Sequence, residues 1–163
     1  MTEFEQRISQ LEALEAIRNL KSEYLAACDA KKPEAVRACF ADGKIHIDYG
    51  AVGLFDNADD LVSLYTQAAC HPHMVEMHHA SNPRLQVIDE KKARGLWALQ
   101  YQCINTKEKT LTQLGGEYDD TYQRTDSGWK IISTTFKVTS TLVVELGDQA
   151  MKSLVADRQP ATA

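Results

Sequence analysis

The sequence predicts an α+β fold, a curved antiparallel sheet wrapped on a long N-terminal helix. Three observations carry this. Apolar residues recur at spacings of three and four from Phe4 to Cys28, the period of one helix face. From position 74 onward the pattern changes to long runs in which alternate residues are apolar, the period of strands. Helical segments come first and strands last, which is the segregated order of α+β architecture.

Each element follows from local chemistry. Thr2-x-x-Glu5 reads as a capping box. The stripe of Phe4, Ile8, Leu11, Leu14, Ile17, Leu20 or Lys21, Tyr24, Leu25 and Cys28 predicts a helix over residues 4–29. Lys31 and Lys32 follow, and Pro33-Glu34 opens a short second helix running through Phe40. Gly43 breaks it. Residues 44–49 alternate strictly, with Ile45, Ile47 and Tyr49 on one face and Lys44, His46 and Asp48 on the other. Gly50 and Gly53 bend the chain. Asn57 is a good N-cap, Asp59 and Asp60 occupy a first helical turn, and Leu61, Leu64, Tyr65 and Ala68 form its stripe up to Cys70.

The remaining strands are expected at residues 74–81, interrupted by Asn82-Pro83, then at 85–87, 93–105, 110–124 and 129–146. Gly115-Gly116 marks a bulge or strong bend, and Asp126-Ser127-Gly128 a turn. Residues 1–146 therefore make the domain. The tail, 147–163, is weakly patterned and is expected to fray or to dock on a neighbouring subunit.

Composition bounds the function. A chain of 163 residues is one domain, large enough to hold a core without staples. Its 44% hydrophobic and 25% charged residues exclude disorder, collagen and coiled coil. Eighteen basic against 23 acidic residues give a net charge of −5. That balance, without any basic run, speaks against nucleic acid and against an anionic membrane surface as partners. The charged N-terminus does not read as a signal peptide, and no apolar run approaches the ~20 residues of a membrane span. Cys28, Cys39, Cys70 and Cys103 lack C-x-x-C spacing and read as reduced thiols, so the expected location is the cytoplasm.

Few residues offer chemistry. Asp29 ends the long helix at its inward edge, where a carboxylate either caps the helix beside Lys31 and Lys32 or looks into a cavity. Tyr24 is inward by the same stripe, as a core tyrosine or a hydrogen-bond donor. His71 and His73 fall in a loop with no Asp, Glu or Cys to complete a ligand set, so no metal is expected. His78 and His79 are flanked by Val75, Met77, Ala80 and Leu85, and one of them must face the interior. Alternation leaves the choice open, since Val75 and Met77 share a face with His79, and Met74 and Glu76 with His78. No P-loop, G-x-G-x-x-G or G-x-S-x-G is present, so no nucleotide or flavin cofactor is expected and any catalysis would use side chains alone.

These pieces together resemble a known family. The helix carrying Tyr24-x-x-x-x-Asp29, the segment Phe40-Ala41-Asp42, the strand ending at Tyr49, and the run His78-His79-Ala80-Ser81-Asn82 are similar to SnoaL-like proteins of the nuclear transport factor 2-like superfamily. So is the closing hairpin from Gly116-Glu117-Tyr118 to Gly128-Trp129-Lys130-Ile131. The resemblance covers roughly residues 8–140. It implies a cone-shaped α+β barrel and a homo-oligomer, a trimer before a dimer. Within the family the set Tyr24, Asp29, Tyr49 and His78 resembles the cofactorless lyases, namely the scytalone dehydratases, bile acid 7α-dehydratases and lindane dehydrochlorinases. This implies an Asp29–His78 dyad, favours His78 over His79, and casts Tyr24 and Tyr49 as hydrogen-bond donors to substrate. The dehydrochlorinase arginine aligns here with Thr134, which withdraws support from chloride elimination.

The walls of the pocket are then expected from Phe40, Leu54, Phe55, Tyr65, Met74, Trp97, Leu99 and Phe136, a lining for a mostly apolar, ring-bearing molecule. The function expected is a dehydratase acting on a steroid-like or polycyclic hydroxy-carbonyl compound. The alternatives are a cofactorless isomerase or cyclase working through an enolate, and a non-catalytic small-molecule-binding module.

Overall fold

A computed structural model describes residues 2–147 of the chain, so the expectations for the tail beyond Gly147 lie outside the described residues. The order is helix α1 (Glu3–Asp29), helix α2 (Pro33–Ala38), strand β1 (His46–Asp48), a 3-10 turn, strand β2 (Leu54–Phe55), helix α3 (Ala58–Ala69) and four long strands. These are β3 (Met74–Val87), β4 (Lys92–Asn105), β5 (Thr110–Thr125) and β6 (Gly128–Glu145). One six-stranded sheet runs in the order β2-β1-β6-β5-β4-β3, and it curls over α1 without closing. The cone-shaped α+β fold is as expected, with one refinement. The sheet is mixed, because β1 runs parallel to β6 while the other pairs are antiparallel.

The capping box is present. The Glu5 amide donates to Thr2 Oγ1 at 3.2 Å, and the Thr2 amide to Glu5 Oε2 at 2.6 Å. Only the later part of the predicted stripe is buried. Phe4, Ile8 and Leu11 are exposed, and burial begins at Ala13 and Ile17. The first turns of α1 thus lie outside the core. The Asn57 cap accepts from the Asp60 amide at 2.9 Å. Helix α2 stops at Ala38 rather than Phe40, because Phe40 forms a parallel bridge to Ile131.

Asn82-Pro83 does not interrupt β3. The strand absorbs the pair as a bulge between Ser81 and Arg84, with Asn82 in the left-handed region at φ 49°. The bulge expected at Gly115-Gly116 is present. Its second glycine is required by packing. A Cβ on Gly116 would lie 2.3 Å from the Phe136 ring, which rests directly on this bare stretch of β5.

The core lies between α1 and the concave face, from Ile17, Leu20 and Leu25 to Trp97, Tyr122, Trp129 and Ile131. A polar network is sealed within it. Lys21 and Asp120 are at most 1% exposed and pair at 2.8 Å. Asp120 also accepts from the Tyr122 hydroxyl at 2.8 Å and from Thr134 at 2.7 Å. Trp97 donates to the Tyr122 oxygen at 2.9 Å, so each hydroxyl and carboxylate has a partner.

Candidate active site

The concave face and α1 leave an apolar cavity of about 510 Å³ between them, covered on one side by α3. It is lined by Tyr24 and Cys28 of α1, Leu61, Leu64, Tyr65, Ala68 and Ala69 of α3, and Met74, Glu76 and His78 of β3. Leu99, Tyr101, Leu114, Tyr118 and Phe136 line it from the other strands, Val36 from α2, and Tyr49 and Val52 from the segment between β1 and β2. A larger groove of about 750 Å³ lies between α1, α2 and the start of β6. Its walls are largely alanine and no histidine or tyrosine enters it, so the convergent polar groups single out the smaller cavity.

Strand β3 is the edge of the sheet, and its inner face presents Met74, Glu76 and His78 by alternation. His79 faces solvent. Because β3 has no neighbour beyond it, the backbone N–H of His78 is free to bond elsewhere. It donates to Asp29 Oδ2 at 3.2 Å, while His78 Nδ1 lies 2.7 Å from Asp29 Oδ1. One carboxylate at the last residue of α1 therefore grips both the backbone and the ring of His78. With Asp29 accepting, the Nδ1 position carries the proton and Nε2 is the basic nitrogen. The ring leans on Tyr101, with centroids 4.7 Å apart.

Tyr24 and Tyr49 meet on another wall, their hydroxyl oxygens 2.9 Å apart. Two O–H groups share one contact, so one proton remains to be donated. Burial pushes both phenols up from their ordinary range, so both stay uncharged near neutral pH. The Tyr24 ring meets Phe40 edge-on at 5.5 Å, and the Tyr49 ring meets Tyr118 at 6.0 Å.

Of the expected wall residues, Tyr65, Met74, Leu99 and Phe136 line the cavity. Tyr65 also donates to the Cys28 carbonyl at 2.7 Å, tying α3 to the end of α1. Four do not line it. Phe40 is buried behind Tyr24 as its packing partner. Leu54 is 70% exposed, because the two-residue strand β2 lies at the sheet's far edge and turns it outward. Phe55 packs on the core, its ring folded back against Gly53. Trp97 shares a face with Leu99 but sits deeper, held by Tyr122. Alternation gives the face of a residue and says nothing of how far along the cone it stands.

Several lining residues escaped sequence reasoning, chiefly Glu76, Tyr101 and Tyr118. Tyr101 donates to Glu76 Oε1 at 2.8 Å. Glu76 Oε2 is ion-paired with Lys31, and both side chains are under 10% exposed. Glu76 was accessible from the strict alternation with His78, but nothing in the sequence joins it to Lys31. The thiol of Cys28 is pushed up to about 12 by burial, which makes it a wall and a poor nucleophile. Among the described residues, no group of three or more His, Cys, Asp or Glu could hold a metal ion.

Comparison with known proteins adds a family. The SnoaL-like domain family matches residues 9–135. Among solved structures, a candidate scytalone dehydratase from Novosphingobium aromaticivorans is similar, with TM-score 0.75 and 20% identity over 94% of this chain and 96% of its own. A hexachlorocyclohexane dehydrochlorinase of type 2 aligns with TM-score 0.76 and 16% identity, covering 85% of this chain and 93% of its own. The type 3 enzyme from Novosphingobium barchaimii aligns with TM-score 0.72 and 18% identity over 85% and 94%. At these identities the likeness shows a shared fold.

Proposed function

The chain belongs to the SnoaL-like domain family, and from that premise we propose that it is a cofactor-independent lyase, a dehydratase of a polycyclic or steroid-like hydroxy-carbonyl compound. One observation carries the reading. A histidine whose Nδ1 side is held by a carboxylate borders an apolar cavity that also holds a paired-hydroxyl donor.

His78 Nε2 takes the proton from the carbon beside the substrate carbonyl, and the freed electron pair moves into the carbonyl as an enolate. Asp29 holds the ring in the right tautomer and stabilises the imidazolium. The free O–H of the Tyr24–Tyr49 pair donates to the developing oxyanion, and uncharged phenols suit that task in an apolar chamber. The electron pair then returns to form the carbon–carbon double bond as the C–O bond breaks. The departing oxygen leaves with its bonding pair, takes the proton back from His78, and departs as water. Substrate becomes alkene plus water, and the dyad returns to its starting state.

Thr134, which the family resemblance sets against an arginine of the dehydrochlorinases, is buried and committed to Asp120. This favours water over chloride as the leaving group. A second reading has one specific support. The same base and donor pair suffice to form an enolate, so an isomerase or cyclase would use the site unchanged. We further propose a cytoplasmic homo-oligomer, a trimer before a dimer. The exposed apolar residues Val138, Leu142, Val143 and Val144 near the end of β6 would supply part of its contact surface.

The test is turnover with a panel of hydroxylated steroids and polycyclic β-hydroxyketones, read by mass spectrometry on wild type and His78→Ala. Loss of water in the wild type that vanishes in the variant supports the dehydratase. Conversion without mass change moves the reading to isomerisation. Binding without conversion by either protein sinks the enzyme reading in favour of a binding module.

A further inference from the structure

The cavity has a second polar pole that the dehydratase chemistry does not use. Lys31, Glu76 and Tyr101 come from the α1–α2 turn, β3 and β4, yet their polar atoms form one chain. Lys31 donates to one carboxylate oxygen of Glu76, and the Tyr101 hydroxyl donates to the other at 2.8 Å. Lys31 stands in the left-handed region at φ 56°, in the turn that ends α1, where the Lys32 amide donates back to the Ala27 carbonyl at 3.0 Å. Both Glu76 and Tyr101 line the cavity, and the Tyr101 ring leans against His78.

Hydrogen-bond bookkeeping gives this pole a direction. An ionised carboxylate only accepts. The single proton of Tyr101 is therefore spent on Glu76, and what its oxygen retains for the cavity is a lone pair. The Tyr24–Tyr49 pair has the opposite character, with one proton left to give. We propose that Lys31 and Glu76 fix Tyr101 as a hydrogen-bond acceptor, so that the cavity selects a ligand carrying an alcohol or phenol O–H beside His78. This deepens the reading of the cavity as the substrate site and rests on it. It assigns Tyr101 to ligand recognition, with Glu76 and Lys31 as positioning residues.

The proposal makes an unusual demand of one conservative change. In Glu76→Gln the amide oxygen faces the ammonium of Lys31, which leaves the amide N–H₂ facing Tyr101. The Tyr101 oxygen then accepts from Gln, and its proton is released toward the cavity. Removing one negative charge should turn the pole from acceptor to donor.

The experiment is direct binding of 2-naphthol, 2-methoxynaphthalene and 2-acetylnaphthalene, followed by ligand fluorescence or calorimetry. Wild type, Glu76→Gln and Tyr101→Phe are compared, each checked for folding by circular dichroism. Wild type is expected to prefer 2-naphthol over its methyl ether by about five- to tenfold, one hydrogen bond's worth. Tyr101→Phe should abolish that preference. Glu76→Gln should reverse it and raise the affinity for the acetyl compound by a similar factor. Should Glu76→Gln not fold, loss of the preference in Tyr101→Phe alone supports the assignment.

A naphthol preference that survives in Tyr101→Phe belongs to His78 and overturns the proposal. So does a wild type that binds naphthol no better than the ether, or binds neither. Because the readout is binding, its failure is distinct from failure of the dehydratase reading. Water loss without reversal keeps the enzyme and removes the pole, and reversal without turnover does the opposite.

Discussion

Lys21–Asp120 and Lys31–Glu76 are both buried lysine–carboxylate pairs, and they answer to different masters. Lys21–Asp120 is sealed between α1 and the sheet, and its carboxylate is saturated by Tyr122 and Thr134. Lys31–Glu76 is nearly as well covered, but its carboxylate turns one oxygen to Tyr101 on the cavity wall. Burial in the first case strips both ions of water, and it lowers the pKa of the Lys21 ammonium, with Asp120 opposing that shift. The lysine also lies 3.4 Å over the Tyr118 ring, so its charge is shared with the wall behind the cavity. The contrast teaches that burial alone does not identify a functional ion pair. What distinguishes them is whether a polar atom is left that reaches the cavity.

The comparison can be broken by assigning each region the wrong readout. If the cavity groups act in chemistry, His78→Ala lowers turnover roughly 10²- to 10⁴-fold, while its urea midpoint stays close to wild type. A midpoint that collapses with the activity would return Asp29–His78 to the structural side. The sealed pair should behave in the reverse way. Asp120→Ala strands a buried ammonium and is expected to cost about 3–5 kcal/mol in urea unfolding, whereas Lys21→Met with Asp120→Leu should recover much of it. A loss below about 1 kcal/mol in the single variant would show that the network is not a keystone of the fold.

Smaller effects sharpen the picture. Tyr49→Phe removes one of two hydroxyls and leaves a single donor, so turnover should fall about tenfold, with the pH profile unmoved. Measuring kcat from pH 5 to 9 checks this, and a shifted profile would mean that Tyr49 takes part in proton transfer. The faintest signal belongs to the surface. Arg94 holds Asp119 by two contacts, at 2.8 and 2.5 Å, and keeps its carboxyl below the usual carboxylate range. A carboxyl whose folded pKa is depressed stabilises the fold above its unfolded pKa and loses that contribution as pH falls through the folded value. Both groups are largely exposed, so Asp119→Asn should cost no more than about 0.5 kcal/mol at pH 6 and nothing near pH 2. Paired urea titrations at the two pH values decide it.

Most elements were legible because local chemistry writes them. The helical stripe, the Asn57 cap and the Gly115-Gly116 bulge are each set within a few residues. Errors arose where a distant partner decides. Asn82-Pro83 reads as a break, yet β4 carries the strand through it. Phe40 reads as helix, yet Ile131 draws it into a bridge. In the candidate site, the set Asp29, His78, Tyr24 and Tyr49 follows from a family resemblance, and the structure brings Tyr24, Tyr49 and His78 to one cavity, with Asp29 bonded to His78. Lys21–Asp120 was illegible, because 99 residues separate the partners and each alone looks like an ordinary surface charge. Trp97 shows the other gap, since period reports which way a side chain points but not its depth, and Leu54 lies on a two-residue strand too short to carry a period.

The bare backbone at Gly116 has a consequence for how this chamber can change over time. Phe136 occupies the space that any side chain at 116 would need. A single methyl group there would also lie 2.8 Å from the Lys137 carbonyl oxygen, so both the ring and the neighbouring strand would have to shift, and with them the wall of the hollow. The size of molecule admitted is therefore governed from a residue that offers no reacting group, on a strand that carries neither Asp29 nor His78. A change at that position would alter the shape of the hollow while leaving Asp29 and His78 in place.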